Sequence, residues 1–142
     1  MNIAIDFDGT CVTHEYPNIG EDIGAESVLR VLIAKGHNLI LNTMRSGDKL
    51  NDAINWFKIR NIPLFGVGKH PTQDTWTSSN KAYADIYIDD SNINAPMKLT
   101  KDSSTFYLDW KEVSHLLYKR YGIFSLTEHE SICKEIDNLN LP

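Results

Sequence analysis

The chain has 142 residues, of which 42% are hydrophobic and 23% charged, and its formal net charge is −5. That size suits one domain burying about two-thirds of its unfolded surface. The composition excludes a disordered chain, no apolar run approaches the roughly 18 residues of a membrane span, and the acidic balance argues against sequence-independent binding to a polyphosphate backbone. A phosphorylated small molecule is not excluded, since a few local cations suffice for it. Met1 leads almost at once into a strand, which leaves no room for a signal peptide. Cys11 and Cys133 show neither metal-ligand spacing nor a disulfide framework, so a reducing cytoplasm is the expected location.

In chain order, Asn2-Ile3-Ala4-Ile5 reads as a buried strand running into Asp6-Phe7-Asp8-Gly9-Thr10, where Gly9 breaks the pattern. Residues 11–24 are polar, with Pro17, Gly20 and Gly24 as breakers, and read as a loop. His14 in that loop is either a substrate contact or merely solvated. Ala25 to Lys35 carries Val28, Leu29, Val31, Leu32 and Ile33 before Gly36, the pattern of a helix with a glycine stop. Asn38 to Thr43 reads as a second buried strand ending in a hydroxyl. Leu50, Ala53, Ile54 and Phe57 recur at i, i+3, i+4 and i+7, one face of a second helix, closed by Asn61 and Pro63. Pro63 to Val67 reads as a short third strand, and residues 68–79 as a loop carrying His70, Pro71 and Trp76. Ser79 to Ala84 reads as one helical turn before Asp85-Ile86-Tyr87-Ile88-Asp89-Asp90, a fourth strand ending in carboxylates. Phe106-Tyr107-Leu108 is expected as a fifth strand at the sheet edge, and Trp110–Tyr121 and Leu126–Leu139 as two amphipathic helices whose apolar positions pack on the core.

Strands alternating with helices at this spacing indicate a three-layer, Rossmann-like α/β architecture, a parallel sheet flanked by helices. Connections are right-handed, so every polar strand end falls on one edge, where open α/β sheets bind ligands. Residues i and i+2 of a strand share a face, so Asp6 and Asp8 can reach one ligand if the strand stays extended. Two anions at roughly 5 Å and an effective dielectric of about 20 repel by about 3 kcal/mol. The plainer alternative for this pentapeptide is a strand end whose polar residues cap a turn. Asp6 and Asp8, Thr43, and Asp89 and Asp90 together make the stronger case. Four carboxylates in one pocket call for a divalent cation, and oxygen ligands favour magnesium. With Lys81 eight residues before the acidic pair, and a hydroxyl nearby, the set suits a phosphoryl group.

This ordered set resembles the haloacid dehalogenase superfamily, whose motifs run Asp-x-Asp-x-Thr, a strand-end Thr or Ser, a Lys, and an acidic pair. The resemblance covers about residues 1–95 of a single domain spanning 1–142, with the edge strand and helices of about 104–139 outside it. It implies Asp6 as a nucleophile that becomes an aspartyl phosphate, and Asp8 as the group that protonates the leaving oxygen and then activates water. Thr43 is then expected to bond the phosphoryl oxygens, and Lys81 to hold nucleophile and phosphoryl group by charge. Magnesium is expected on the Asp6 carboxylate, the Asp8 backbone carbonyl and Asp90, with Asp89 as the alternative ligand. Where many relatives place another Asp four positions after the pair, this chain has Asn94. An Asp at position 8 favours phosphate hydrolysis over dehalogenation or a long-lived phosphoenzyme. The intervals between motifs hold only the elements above, so the chain resembles the capless branch, with no cap domain. Such open sites suit a phosphorylated small molecule or a macromolecular phosphoester, or are covered by a neighbouring subunit of a homo-oligomer. Thr10 and Arg45 are expected on the substrate side, Arg45 as a fork for a second phosphate or carboxylate, or else as a surface arginine.

Two readings from other classes stand beside the phosphatase. One is a catalytically idle binding or assembly module on the same scaffold. The other is a signalling receiver domain, which also uses Asp, Thr and Lys at strand ends with magnesium. In a receiver the acidic pair comes first, and here it comes last.

Overall fold

The computed structural model describes residues 1–142. Four parallel strands, β1 (Asn2–Ile5), β2 (Asn38–Leu41), β3 (Gly66–Val67) and β4 (Ile86–Ile88), form one sheet in the order β3-β2-β1-β4. Helices α1 (Ala25–Ala34) and α2 (Gly47–Ile59) join the first three strands. A second, two-stranded antiparallel sheet, β5 (Met97–Leu99) with β6 (Phe106–Leu108), precedes α3 (Trp110–Lys119) and α4 (Leu126–Asp137). The protein is therefore an α/β fold of Rossmann-like type, a four-stranded parallel sheet flanked by four helices. No helix is long and apolar enough to cross a membrane.

Register explains the core. Ile3 lies opposite Leu39 on one side and Ile86 on the other, and Ile5 opposite Leu41 and Ile88. Alternation along the strands sends these six side chains to one face. There they join Val28, Leu29 and Leu32 of α1, Phe57 of α2, Trp110 and Leu117 of α3, and Ile132 and Ile136 of α4 in one apolar cluster. Ala4 and Ile40 point the other way; both are buried, but outside that cluster.

Two expectations are corrected here. Phe106–Leu108 does form a strand, but it pairs antiparallel with β5 instead of extending the parallel sheet. Met97–Leu99, exposed along its length, gave no alternating signal to announce it. The helical turn expected at Ser79–Ala84 is absent, and the segment between β3 and β4 holds one 3-10 turn, Gln73–Thr75, and no α-helix. The third layer of the expected sandwich is thus made of this irregular segment, which crosses the sheet on the side of Ala4, Ile40 and Tyr87.

Buried Gln73 holds that segment together. Its Nε2 donates to the carbonyls of Ser79 (2.9 Å) and Lys81 (2.8 Å), and its Oε1 accepts from the amides of Tyr83 (2.8 Å) and His70 (3.4 Å). One side chain substitutes for the backbone ladder that a helix would have provided. Tyr87 completes the layer by donating its hydroxyl to the Ala82 carbonyl. A buried polar group left unpaired costs about 1–3 kcal/mol. Gln73→Leu strands several such groups, and we expect it to lower unfolding stability by about 2–4 kcal/mol, read from urea denaturation. A variant as stable as wild type would show that water replaces the side chain without loss.

Candidate metal and catalytic site

The central strand β1 delivers Asp6 to the carboxyl edge of the sheet, where its amide bonds Ile88 O (3.0 Å) while Asn42 N bonds Ile5 O (2.8 Å). Phe7 is buried against Trp56 and Phe57, and its carbonyl accepts from Cys11 N (2.7 Å) and, at 3.3 Å, from Thr10 N and Val12 N. This knot turns the chain sharply. Gly9 stands at φ +77°, and a Cβ there would collide with the Asp90 carboxylate. Position 9 therefore needs glycine twice over, for the left-handed turn and for the close approach.

Asp6, Asp89 and Asp90 each place a carboxylate oxygen within 4.8 Å of the other two. Thr10 ties the group together: its hydroxyl lies 3.3 Å from both Asp6 Oδ2 and Asp90 Oδ1 and accepts from the Asp90 amide at 3.0 Å. Thr10 is fully buried, so it braces the carboxylates and does not face a substrate as expected. No lysine, arginine or histidine forms a salt bridge with the three. Burial, followed by the charges of Asp89 and Asp90, pushes the Asp6 carboxyl up to about 7. Burial and Asp89 also raise Asp90, while Thr10 and His14 act against that shift. Three oxygen donors with no cationic side chain among them fit a hard divalent cation such as magnesium.

All four carboxylates line one cavity, but Asp8 is not one of the three that come within 4.8 Å of one another. Arg45 grips both of its oxygens, Nε to Oδ2 at 2.7 Å and Nη2 to Oδ1 at 2.6 Å. The side chains are 1% and 11% exposed. Arg45 was expected to offer its fork to an outside anion, and instead it spends the fork within the protein.

A cavity of about 470 Å³ opens beside these groups, lined in part by Asp6, Asp8, Thr43, Arg45, Asp89 and Asp90. The Thr43 hydroxyl accepts from the Arg45 amide (3.2 Å), which leaves its own proton free for a ligand. His14 and Tyr16 stand at the rim. Tyr16 gave no signal in the sequence beyond lying in a polar loop.

No protein-family model matches the chain, and no curated protein matches it. Among solved structures, it is similar to a conserved protein from Bacteroides thetaiotaomicron, with 33% identity and a TM-score of 0.67. The match covers 90% of this chain and 95% of the other. The chain belongs to that protein's family. Coverage of 90% means that the similarity is not confined to residues 1–95.

Lys81 is not among the residues brought to the cavity. It is exposed, with its ammonium 5.0 Å from the centre of the Tyr87 ring. His70 and Trp76 also lie elsewhere, in an edge-to-face chain with Phe65 and Tyr83. Asn94 is exposed and contributes nothing to the three carboxylates.

The elevated Asp6 carboxyl has a measurable consequence. A carboxyl group raised on folding favours the folded state most at low pH, and that contribution is lost as pH rises through about 7. In chelator, Asp6→Asn should therefore gain thermal stability relative to wild type between pH 5 and pH 8. Magnesium should raise the wild-type Tm more at pH 8 than at pH 5.5 and leave the variant nearly unmoved. Equal magnesium shifts at both pH values in thermal melts would remove Asp6 from the metal site.

Proposed function

We propose that this protein is a magnesium-dependent phosphohydrolase of the haloacid dehalogenase type, hydrolysing a phosphate monoester through an aspartyl phosphate on Asp6. The observation that carries the reading is the grouping of Asp6, Asp89 and Asp90 within 4.8 Å at one strand edge, with Asp8 two residues on and held separately.

Asp6, Asp89 and Asp90 would hold the magnesium, which supplies neutralising charge to the phosphoryl oxygens. Asp6 attacks phosphorus, the ester P–O bond breaks, and Asp8, having first taken up a proton from solvent, gives that proton to the leaving oxygen. Asp8 then takes a proton from water, the resulting hydroxide attacks phosphorus, and the Asp6–phosphate bond breaks to release inorganic phosphate. The Thr43 hydroxyl, free to donate, suits a phosphoryl oxygen. His14 and Tyr16 border the opening, where the rest of a small phosphorylated molecule or the end of a phosphorylated macromolecule would lie.

A second reading, a metal-binding module without turnover, draws support from Lys81 standing outside the cavity. Turnover decides between the two. Purified protein should hydrolyse an aryl phosphate with magnesium and lose activity in chelator. Asp6→Asn should abolish turnover, and Asp8→Asn should lower it by about 10²- to 10⁴-fold, the usual contribution of a positioned acid–base group. Beryllofluoride should modify Asp6 alone. Magnesium binding without turnover on any phosphate monoester would favour the idle module, and modification of a different Asp would overturn the proposed nucleophile.

A further inference from the structure

We propose that Arg45 is a positioning residue for proton transfer, one that aims the Asp8 carboxylate into the cavity and keeps it out of the metal-binding group. The proposal rests on the phosphohydrolase reading above and adds a role that reading does not contain.

A guanidinium carries five N–H donors in a fixed plane and no acceptor. In Arg45 all five are accounted for. Nε bonds Asp8 Oδ2 (2.7 Å), and Nη2 bonds Asp8 Oδ1 (2.6 Å) and the Asn18 carbonyl (2.6 Å). Nη1 faces the carbonyls of Pro17 (3.3 Å) and Lys49 (3.5 Å). The guanidinium carbon also lies over two aromatic rings, 5.1 Å from the centre of Phe7 and 5.3 Å from that of Tyr16. With no donor left over and almost no exposed surface, Arg45 has nothing to offer a substrate directly. Its work is done through Asp8.

Three consequences follow from that geometry. First, the pair cancels one of the four negative charges gathered at this edge, so only three carboxylates remain to bind a cation. Second, a carboxylate offers about four lone-pair directions and the fork occupies two, which leaves one to carry the proton bound for the leaving oxygen and one to accept from a water. Asp8 is thus oriented without being blocked. Third, the carbonyls of Pro17 and Asn18 tie the fork to the loop that carries His14 and Tyr16. The rim of the cavity and the proton-transfer group are therefore one mechanical unit. Lysine keeps the charge but cannot form a planar two-point grip.

The test is Arg45→Ala and Arg45→Lys in the full chain, assayed beside wild type. Arg45→Ala should lower kcat at least 100-fold and change KM less than 3-fold. It should still be stabilised by magnesium and modified by beryllofluoride at Asp6, because Asp6 and Asp90 keep their own brace through Thr10. Free guanidinium ion at tens of millimolar should restore at least 10-fold of the lost kcat, while equal ionic strength of sodium salt should not. Arg45→Lys, which keeps the charge and most of the stem should the alanine variant fail to fold, should lose kcat at least 10-fold. Either variant within 3-fold of wild type overturns the proposal. So does loss of magnesium stabilisation together with activity, since that marks a purely structural role. Wild type that binds magnesium but never forms the Asp6 phosphate fails differently: it removes the phosphohydrolase reading, and Arg45's role with it.

Discussion

The carboxylates of Asp6, Asp89 and Asp90 approach one another to within 4.8 Å, and each pair at that distance repels by about 3 kcal/mol at an effective dielectric near 20. Nothing in hydrophobic packing would bring them together; they are brought by strands. β1 and β4 are neighbours in parallel register, Ile5 beside Ile88, so the residue that follows each strand emerges at the same level of the same edge. The repulsion is then moderated by what surrounds it. Thr10 shares its hydroxyl among Asp6, Asp90 and the Asp90 amide, and Asp6 retains a proton up to about pH 7. Gly9 gives up its side chain so that the Asp90 carboxylate can fit against the turn.

The turn that makes this possible is braced from the far end of the chain. Trp110 donates its indole N–H to the Thr10 carbonyl at 2.7 Å, and Leu108 its amide to the Gly9 carbonyl at 2.9 Å. Trp110 opens α3 and Leu108 closes β6, so the small antiparallel hairpin and the start of α3 anchor the Asp6–Thr10 turn as well as completing the core. Asp109 between them caps α3 through the Lys111 amide at 3.0 Å, which fixes where Trp110 begins and hence where its indole points. Gly24, at φ +90° before α1, lets Ile136 of α4 approach closely, locking the same helices onto the sheet.

The sequence made the elements with strong periodicity readable, and the site residues on strand ends with them. Asp6, Thr43, Asp89 and Asp90 line the cavity because parallel strands leave their ends no other place to go. What stayed hidden depended on contacts across long separations. The i, i+2 spacing put Asp8 in the cavity with Asp6, and only the fold shows that Arg45, 37 residues away, grips its carboxylate there. Thr10 looked like a donor for substrate until its burial was known. Residues 79–84 carried the composition of a turn of helix, but Gln73 had already claimed the Ser79 and Lys81 carbonyls. Lys81 was placed by its spacing from the acidic pair, and spacing alone does not say which way a loop carries a side chain.

Asp6 and Asp8 illustrate how far identical chemistry can be separated by surroundings. They sit two residues apart on one strand end, and a sequence gives no reason to treat them differently beyond their order. In the fold, Asp6 is walled in with two other anions and no cationic side chain. That leaves its charge to be satisfied by a metal ion or a proton, and both leave when a stronger claimant arrives. Asp8 has a permanent counter-ion, fixed by five bonds and two rings, that neither titrates nor diffuses away. One carboxylate is therefore kept responsive to what enters the cavity, and the other is kept constant in direction. That asymmetry is what the proposed two-step hydrolysis would need from its two acids, because a group that forms the covalent bond must change partners, while a group that moves the proton must be found in the same place both times.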